Sequence, residues 1–501
     1  VTRAEQFRRL HHHDGPWDFI VIGGGATGAG VAIDAAARGY SVLLLERHDF
    51  GKGTSSRSTK LVHGGVRYLE QGNLSLVMEA LKERGLLLQN APHLVRNLGF
   101  VVPTYDWWES PFYGLGLKLY NLLAGKYGFG DSRILSKEET LERLPTINTE
   151  GLRGGVIYFD GQFDDARLLI DLVTTAWERG ATLLNYSPVF AVIKDADGFV
   201  DGVRFRDLET GEEHEALARA VVNATGPFAD ALRTLADSTA EPMIAPSQGI
   251  HLVFDSTFLP GDNAIMVPHT TDGRVMFAIP WHGHTLVGTT DTPVDEAVAE
   301  PVALEREIEF ILHTASIYLA RKPTRADILS IFAGIRPLVK SDSATNTAAL
   351  SRGHVIRIEN SGMVTVCGGK WTTYRHMAED CVNQAATLAR LPDRPCITAN
   401  LAIFNPGELP QSELLHPALP YTVADVIRAV RDEMARTVED VLARRTRALF
   451  LNAGAAIEMA ERVAELMAPE LGRDAAWAQE QVTSFCETAA SYLPSPSLAG
   501  Q

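Results

Sequence analysis

A chain of 501 residues exceeds what one hydrophobic core usually serves, so two or three domains are expected. Its 46% hydrophobic and 22% charged residues exclude long disorder, and its formal net charge of −16 excludes an extended nucleic-acid groove, leaving only local basic sites. Cys367, Cys381, Cys396 and Cys486 show no CxxC or other ligand spacing, so no metal centre is expected and a reduced, cytoplasmic setting fits. His11-His12-His13 are adjacent and point different ways, which reads as part of a mobile polar leader rather than a metal site. No apolar run of about 18 residues and no export signal is seen, so the chain is expected to be soluble or peripheral.

Asp18-Phe19-Ile20-Val21-Ile22 suits a buried parallel strand. Gly23-Gly24-Gly25-Ala26-Thr27-Gly28 follows at once, then an alanine-rich helix over 29–38 that Gly39 stops. Ser41-Val42-Leu43-Leu44-Leu45-Glu46 is the next strand, completing one βαβ unit. Residues 74–90 form an amphipathic helix with Leu74, Val77, Leu81 and Leu88 on its apolar face and Glu79, Lys82 and Glu83 elsewhere. A second such helix covers 165–179, strands follow near 181–206, and Leu208-Glu209-Thr210-Gly211 signals a hairpin. Alternating runs near 250–255, 264–268, 274–280 and 284–289 predict an antiparallel sheet inserted between pieces of the nucleotide-binding domain. Pro406, Pro410, Pro417 and Pro420 mark a linker, and 422–492 has helical periodicity, read as a structural or association module that admits a homodimer.

In the glycine loop, Gly23 permits the tight turn, Gly25 admits a pyrophosphate, and Gly28 lets helix and strand approach. Glu46, at the end of the second strand, can accept hydrogen bonds from a ribose hydroxyl. Strand, helix and acidic residue together establish a dinucleotide site without choosing between NAD and FAD. Two later segments bear on that choice: the loop over 53–68, dense in small and hydrogen-bonding residues, and the strand-to-turn Ala220-Val221-Val222-Asn223-Ala224-Thr225-Gly226.

The loop over 23–28, with Ser55-Ser56, Lys60-Leu61, His63-Gly64-Gly65, Arg67-Tyr68-Leu69-Glu70 and Ala224-Thr225-Gly226, closely resembles the FAD-dependent glycerol-3-phosphate dehydrogenase family. Gly288-Thr289-Thr290-Asp291, Gly334-Ile335-Arg336-Pro337-Leu338 and Gly368-Gly369-Lys370-Trp371-Thr372-Thr373-Tyr374-Arg375 are similar to its later motifs, in order. An insertion that marks the related oxygen-using oxidase is not found. The resemblance implies a mixed α/β fold: a Rossmann-like FAD-binding domain of the glutathione-reductase/D-amino-acid-oxidase type (17–90, 155–230, 335–395), an antiparallel-sheet substrate domain (91–154, 231–334) and a C-terminal helical domain (405–501).

The resemblance also assigns residues. Gly23, Gly25, Ala26, Thr27, Gly28, Glu46, Arg47, Thr54, Ser55, Ser56, Lys60, Leu61, His63, Gly64, Gly65, Ala224, Thr225, Gly226, Gly369, Lys370 and Thr372 are expected at FAD. A phosphate monoester carries nearly two negative charges and needs several fixed cationic donors. Arg67, Arg336, Arg352 and Lys370 are the candidates for glycerol 3-phosphate, with Tyr68 and Thr289 beside them. Oxidising the secondary alcohol sends hydride to the flavin and leaves a hydroxyl proton for a base. His251 is the expected base, Arg336 the stabiliser of the developing alkoxide, and His63 a competing histidine.

The family's usual acceptor is a membrane quinone, reached by peripheral attachment to the inner face of the cell membrane. Trp107-Trp108, Phe112-Tyr113 and the leucine-rich run over 115–123, with Lys118 and Lys126, read either as an interfacial patch or as a buried connector.

Overall fold

The computed structural model describes residues 1–65, 73–106, 109–268, 270, 274–340 and 353–494. Arg67, Tyr68, Trp107, Trp108 and Arg352 lie outside the described residues.

The first apolar run forms the strand Trp17–Ile22, parallel to Val42–Leu45 on one side and to Glu213–Asn223 on the other. Thr182–Leu184 extends the sheet at one end, and Val364–Gly368 lies parallel beyond Glu213–Asn223. Trp17–Ile22 and Val42–Leu45 are apolar nearly throughout because both faces are covered, whereas Glu213–Asn223 is continuously buried only over its last four residues. Phe19, Val21, Val42 and Leu44 pack with the helices Ala26–Ala37, Asp165–Glu178 and Tyr374–Leu388. Ile20, Ile22, Leu43 and Leu45 pack with Val203, Phe205 and Leu232 on the opposite face. The expected hairpin joins Val200–Arg206 to Glu213–Asn223.

The N-terminal segment is not the mobile leader expected from its polarity. Arg3–His11 is a helix capped by Thr2, and it docks through polar side chains. Buried Gln6 accepts from the backbone N–H of Leu183 on the edge strand at 3.0 Å, Arg3 pairs with Asp207 at 2.6 Å, and His13 stacks on Trp17. A polar helix thus covers an edge that would otherwise leave backbone groups unpaired.

The second sheet, of ten strands among the described residues and largely antiparallel, includes Val95–Thr104, Gly154–Phe163, Ile244–Asp255, Asn263–Val267, Met276–Trp281, His284–Gly288 and Ile328–Val339. Helix Leu74–Asn90 packs against Val95–Thr104 with Val77 and Leu81 buried as predicted, whereas Leu74, expected on the same apolar face, is exposed in the first turn. Glu83 differs from its polar-face assignment: it is buried because Arg375 forks onto its carboxylate at 2.7 and 2.8 Å.

Residues 401–413 carry no regular structure. Beyond them Val423–Asp432, Ala453–Glu470 and Ala475–Ala490 form a helical unit. It seats on Ile328–Val339, where Ser330 Oγ donates to the Leu449 carbonyl and the Ile331 N–H to the Tyr492 carbonyl, each at 2.8 Å. Among the described residues no helix is long and apolar enough to cross a membrane.

Candidate active site

Trp17–Ile22, Val42–Leu45 and Glu213–Asn223 direct their carboxyl ends at a cleft of about 810 Å³, the position where open α/β sheets bind ligands. Gly23 has φ +110°, and a β-carbon there would lie 2.6 Å from the Ala224 carbonyl oxygen. A β-carbon on Gly28 would overlap the Gly23 carbonyl oxygen, so Gly28 stands behind the turn rather than on the cleft wall. Gly25 is the N-cap of Ala26–Ala37, and Ser55 Oγ accepts from the Ala26 N–H at 2.9 Å. The amide-rich, positive end of that helix therefore opens on the cleft, where a pyrophosphate fits.

Glu46 accepts from the Gly24 N–H at 2.6 Å through one oxygen and from the His48 N–H at 2.8 Å through the other. Each oxygen keeps a lone pair for a ribose hydroxyl. Burial pushes this carboxyl above its ordinary range against the lowering effect of those amides. Pro188, Val189, Phe190, Phe228 and Leu232 line the cleft as well, an apolar wall for a planar base that sequence pattern did not single out.

The loop over 49–65 forms the other wall. Trp371 Nε1 donates to the Ser55 carbonyl at 2.9 Å, Thr54 Oγ1 to the Ile335 carbonyl at 2.6 Å, and Thr372 Oγ1 to the His63 carbonyl at 3.5 Å. Thr54, Ser55, Leu61, His63 and Gly65 line the cleft. Lys60 does not present its ammonium there: it is fully buried, donating to the Ser56 carbonyl and to both oxygens of Asp165 at 2.8 Å. Ser56 and Gly64 likewise lie behind the wall, Gly64 pressed against Leu81 and the Tyr120 hydroxyl. An ionic seam from the C-terminal unit fixes this loop from outside. Lys52 meets Glu439 at 2.6 Å, and Asp49 meets both Arg444 and Arg445.

His251 and Arg336 lie on adjacent antiparallel strands, with Ser247 opposite Arg336 and His251 opposite Phe332. Glycines make room for both side chains. A β-carbon on Gly288 would overlap the imidazole, and one on Gly249 would overlap the guanidinium. The imidazole is 2% exposed, stacks on Phe332 with centroids 4.8 Å apart, and places Nε2 2.9 Å from Thr59 Oγ1. Burial, then the cationic Lys60 and Arg336, hold its pKa well below the usual histidine range, so it is neutral at pH 7. Arg336 donates through Nη2 to the Thr290 carbonyl at 2.9 Å and to Thr289 Oγ1 at 3.2 Å, while Nη1 lies 3.2 Å from Asp291. Nη1 also donates to the Gln248 carbonyl at 3.5 Å, so several oxygens fix the planar fork at the cleft.

The cleft brings together Gly23, Gly25, Ala26, Thr27, Glu46, Arg47, Ala224, Thr225, Gly226, His251, Thr289, Arg336, Gly369, Lys370 and Thr372. It also holds residues that sequence reasoning passed over. Asp291 sits inside a motif already noted, Thr59 precedes Lys60 in another, and Arg274 follows Gly273 just before a strand. Thr59 and Asp291 had a signal in their motifs. Arg274 had none beyond its charge.

Residues 18–375 match the model of the FAD dependent oxidoreductase family, and 365–478 match that of the C-terminal domain of alpha-glycerophosphate oxidase. The mitochondrial glycerol-3-phosphate dehydrogenase of Arabidopsis thaliana is 41% identical over 91% of this chain and 83% of its own length. That of Rattus norvegicus is 38% identical over 95% of this chain and 73% of its own length. The chain belongs to the FAD-dependent glycerol-3-phosphate dehydrogenase family.

Among solved structures, a glycerol-3-phosphate dehydrogenase from Bacillus halodurans complexed with FAD is similar with a TM-score of 0.79 and 29% identity, covering 100% of this chain and 99% of that one. The L-alpha-glycerophosphate oxidase of Mycoplasma pneumoniae shares the fold, with a TM-score of 0.58 at 18% identity over 78% of this chain and 99% of that one. As a member of this dehydrogenase family the chain is an FAD-dependent oxidoreductase with the mixed α/β, D-amino-acid-oxidase-type fold expected from its motifs. The glycine cradle, Glu46 and the volume of the cleft fit that cofactor.

Proposed function

We propose that this chain oxidises sn-glycerol 3-phosphate to dihydroxyacetone phosphate and passes the electrons to a membrane quinone. The observation that carries the reading is the pairing, on neighbouring strands at one cleft, of a buried neutral imidazole at His251 with the fixed guanidinium of Arg336. Bound FAD supplies a two-electron acceptor for the carbinol hydride. His251 is the sink for the hydroxyl proton, and Arg336 stabilises charge that develops on the oxygen. Lys370 and Thr289, with Arg67, Tyr68 and Arg352, bind the phosphate, whose dianionic oxygens match several fixed cations. The three-domain division anticipated from the motifs belongs to the same proposal, the helical unit bracing the loop over 49–65.

The membrane assignment rests on helix Glu109–Ala124. Phe112, Leu115, Leu119 and Leu122 are exposed along it, with Leu74 and Met78 exposed on the neighbouring helix. A run of exposed large apolar side chains on one helix fits attachment to a lipid surface at the cytoplasmic face, where quinone is available. An oxidase reading draws on the match of 365–478 to the glycerophosphate-oxidase model. Turnover of the holoprotein with glycerol 3-phosphate under air, with and without a soluble quinone analogue, separates the two. The dehydrogenase reading expects quinone-dependent turnover with little peroxide, and stoichiometric peroxide would overturn it.

A further inference from the structure

The proton of the substrate's hydroxyl must reach a ring nitrogen of His251, and the surroundings of that ring restrict the route. Phe332 covers one face, and Gly288 is pressed against Cδ2 and Cγ. Nδ1 is buried and has no hydrogen-bond partner among the described residues. Nε2 is engaged by Thr59 Oγ1 at 2.9 Å. The ring is 2% exposed, whereas Thr59 is only half-buried, and both residues line the cleft. A hydroxyl can accept one proton while giving up another, whereas the ammonium of Lys60 and the guanidinium of Arg336 have no acceptor lone pair.

We propose that Thr59 is a catalytic residue, accepting the proton of the substrate's secondary hydroxyl while passing its own proton to Nε2 of His251. The substrate O–H bond breaks and an O–H bond forms at Thr59 Oγ1. The original Thr59 O–H bond breaks and an N–H bond forms at Nε2. The substrate oxygen keeps its electron pair, and the positive charge ends on the imidazole. The relay requires His251 to begin as the Nδ1–H tautomer, with the Nε2 lone pair accepting from Thr59. Lys60 is paired with Asp165 and Arg336 with Asp291, so both cations stay in place as the imidazole charges, which favours prompt release of the proton.

The inference rests on the proposed alcohol oxidation, and its test separates the two. Flavin reduction by glycerol 3-phosphate is followed without oxygen in the wild-type holoenzyme, Thr59→Val and Thr59→Ser, and the histidine tautomer is read by nitrogen-15 NMR of the oxidised wild-type holoenzyme. Thr59→Val is expected to retain its flavin and slow reduction about 100-fold, a typical size for general acid–base catalysis, while Thr59→Ser restores most of the rate. The His251 resonances are expected to show Nδ1 protonated. Reduction by Thr59→Val at the wild-type rate, failure of serine to restore a lost rate, or a protonated Nε2 in the oxidised wild-type enzyme would each overturn the relay. A wild-type flavin that glycerol 3-phosphate leaves oxidised refutes the proposed substrate instead, and the NMR arm still reads the Thr59–His251 bond.

Discussion

Gly288 stands directly opposite His251 in the antiparallel pair of His284–Gly288 with Ile244–Asp255, at a spacing that leaves no room for a β-carbon beside the imidazole. Gly288→Ala must therefore push the ring, since Phe332 closes its face. Flavin content should be unchanged and anaerobic flavin reduction at least about ten-fold slower, a displacement effect on a positioned base. An alanine variant that reduces at the wild-type rate would show that the ring has space to yield.

Arg336 holds the oxygens of Gln248, Thr289, Thr290 and Asp291 with a planar fork. Arg336→Lys keeps one positive charge and loses that geometry, so kcat/KM for glycerol 3-phosphate should fall roughly 100-fold, of the order seen when an oxyanion donor is lost. Steady-state kinetics check it. Unchanged kcat/KM would remove Arg336 from the chemistry.

The pH response follows from the low pKa of His251. Burial, Lys60 and Arg336 all disfavour its charged form, so the base stays neutral as pH falls through about 6.5, the usual histidine value. Flavin reduction should hold constant there and be lost only at lower pH. Because the folded pKa is depressed, the same group contributes stability above about 6.5 that is lost as pH falls toward the folded value. Stopped-flow reduction between pH 5 and 8 reads the acid limb, and a midpoint near 6.5 would place the base elsewhere.

Much of this was legible in the residues. The apolar strand, Gly23, Gly25, Gly28 and Glu46 recur in space as the pattern required, because a nucleotide loop is a local structure read from neighbouring residues. The helix over 74–90 was legible for the same reason. What was not legible depends on partners distant in the chain. Lys60 sits in a cofactor-like motif yet turns to Asp165, Glu83 is drawn inward by Arg375, and a polar N-terminal segment folds because Gln6 meets an edge strand. Thr59 acquires its chemistry only when the second sheet brings His251 to it.

The Lys60–Asp165 pair is fully buried, so removing one partner strands a charge. Lys60→Met should lower stability by about 3–5 kcal/mol, the usual cost of breaking a buried pair. Arg204→Met, which removes one member of an exposed pair with Glu215, should change it little. Thermal unfolding of the holoproteins compares them, and equal effects would contradict the burial argument.

Leu115 and Leu122 are each about three-quarters exposed on one helix. Replacing both by Glu should abolish co-sedimentation with anionic lipid vesicles while leaving flavin reduction by glycerol 3-phosphate intact, because charged residues do not enter the lipid boundary. Persistent sedimentation would remove this helix from the membrane surface.

Oxidation of glycerol 3-phosphate at a bound flavin meets its most direct test in an anaerobic titration of the purified holoprotein with that substrate. Bleaching of the oxidised-flavin absorbance with one dihydroxyacetone phosphate formed per flavin, and reoxidation on adding a soluble quinone analogue, is the predicted result. Flavin that stays oxidised at saturating glycerol 3-phosphate would contradict it.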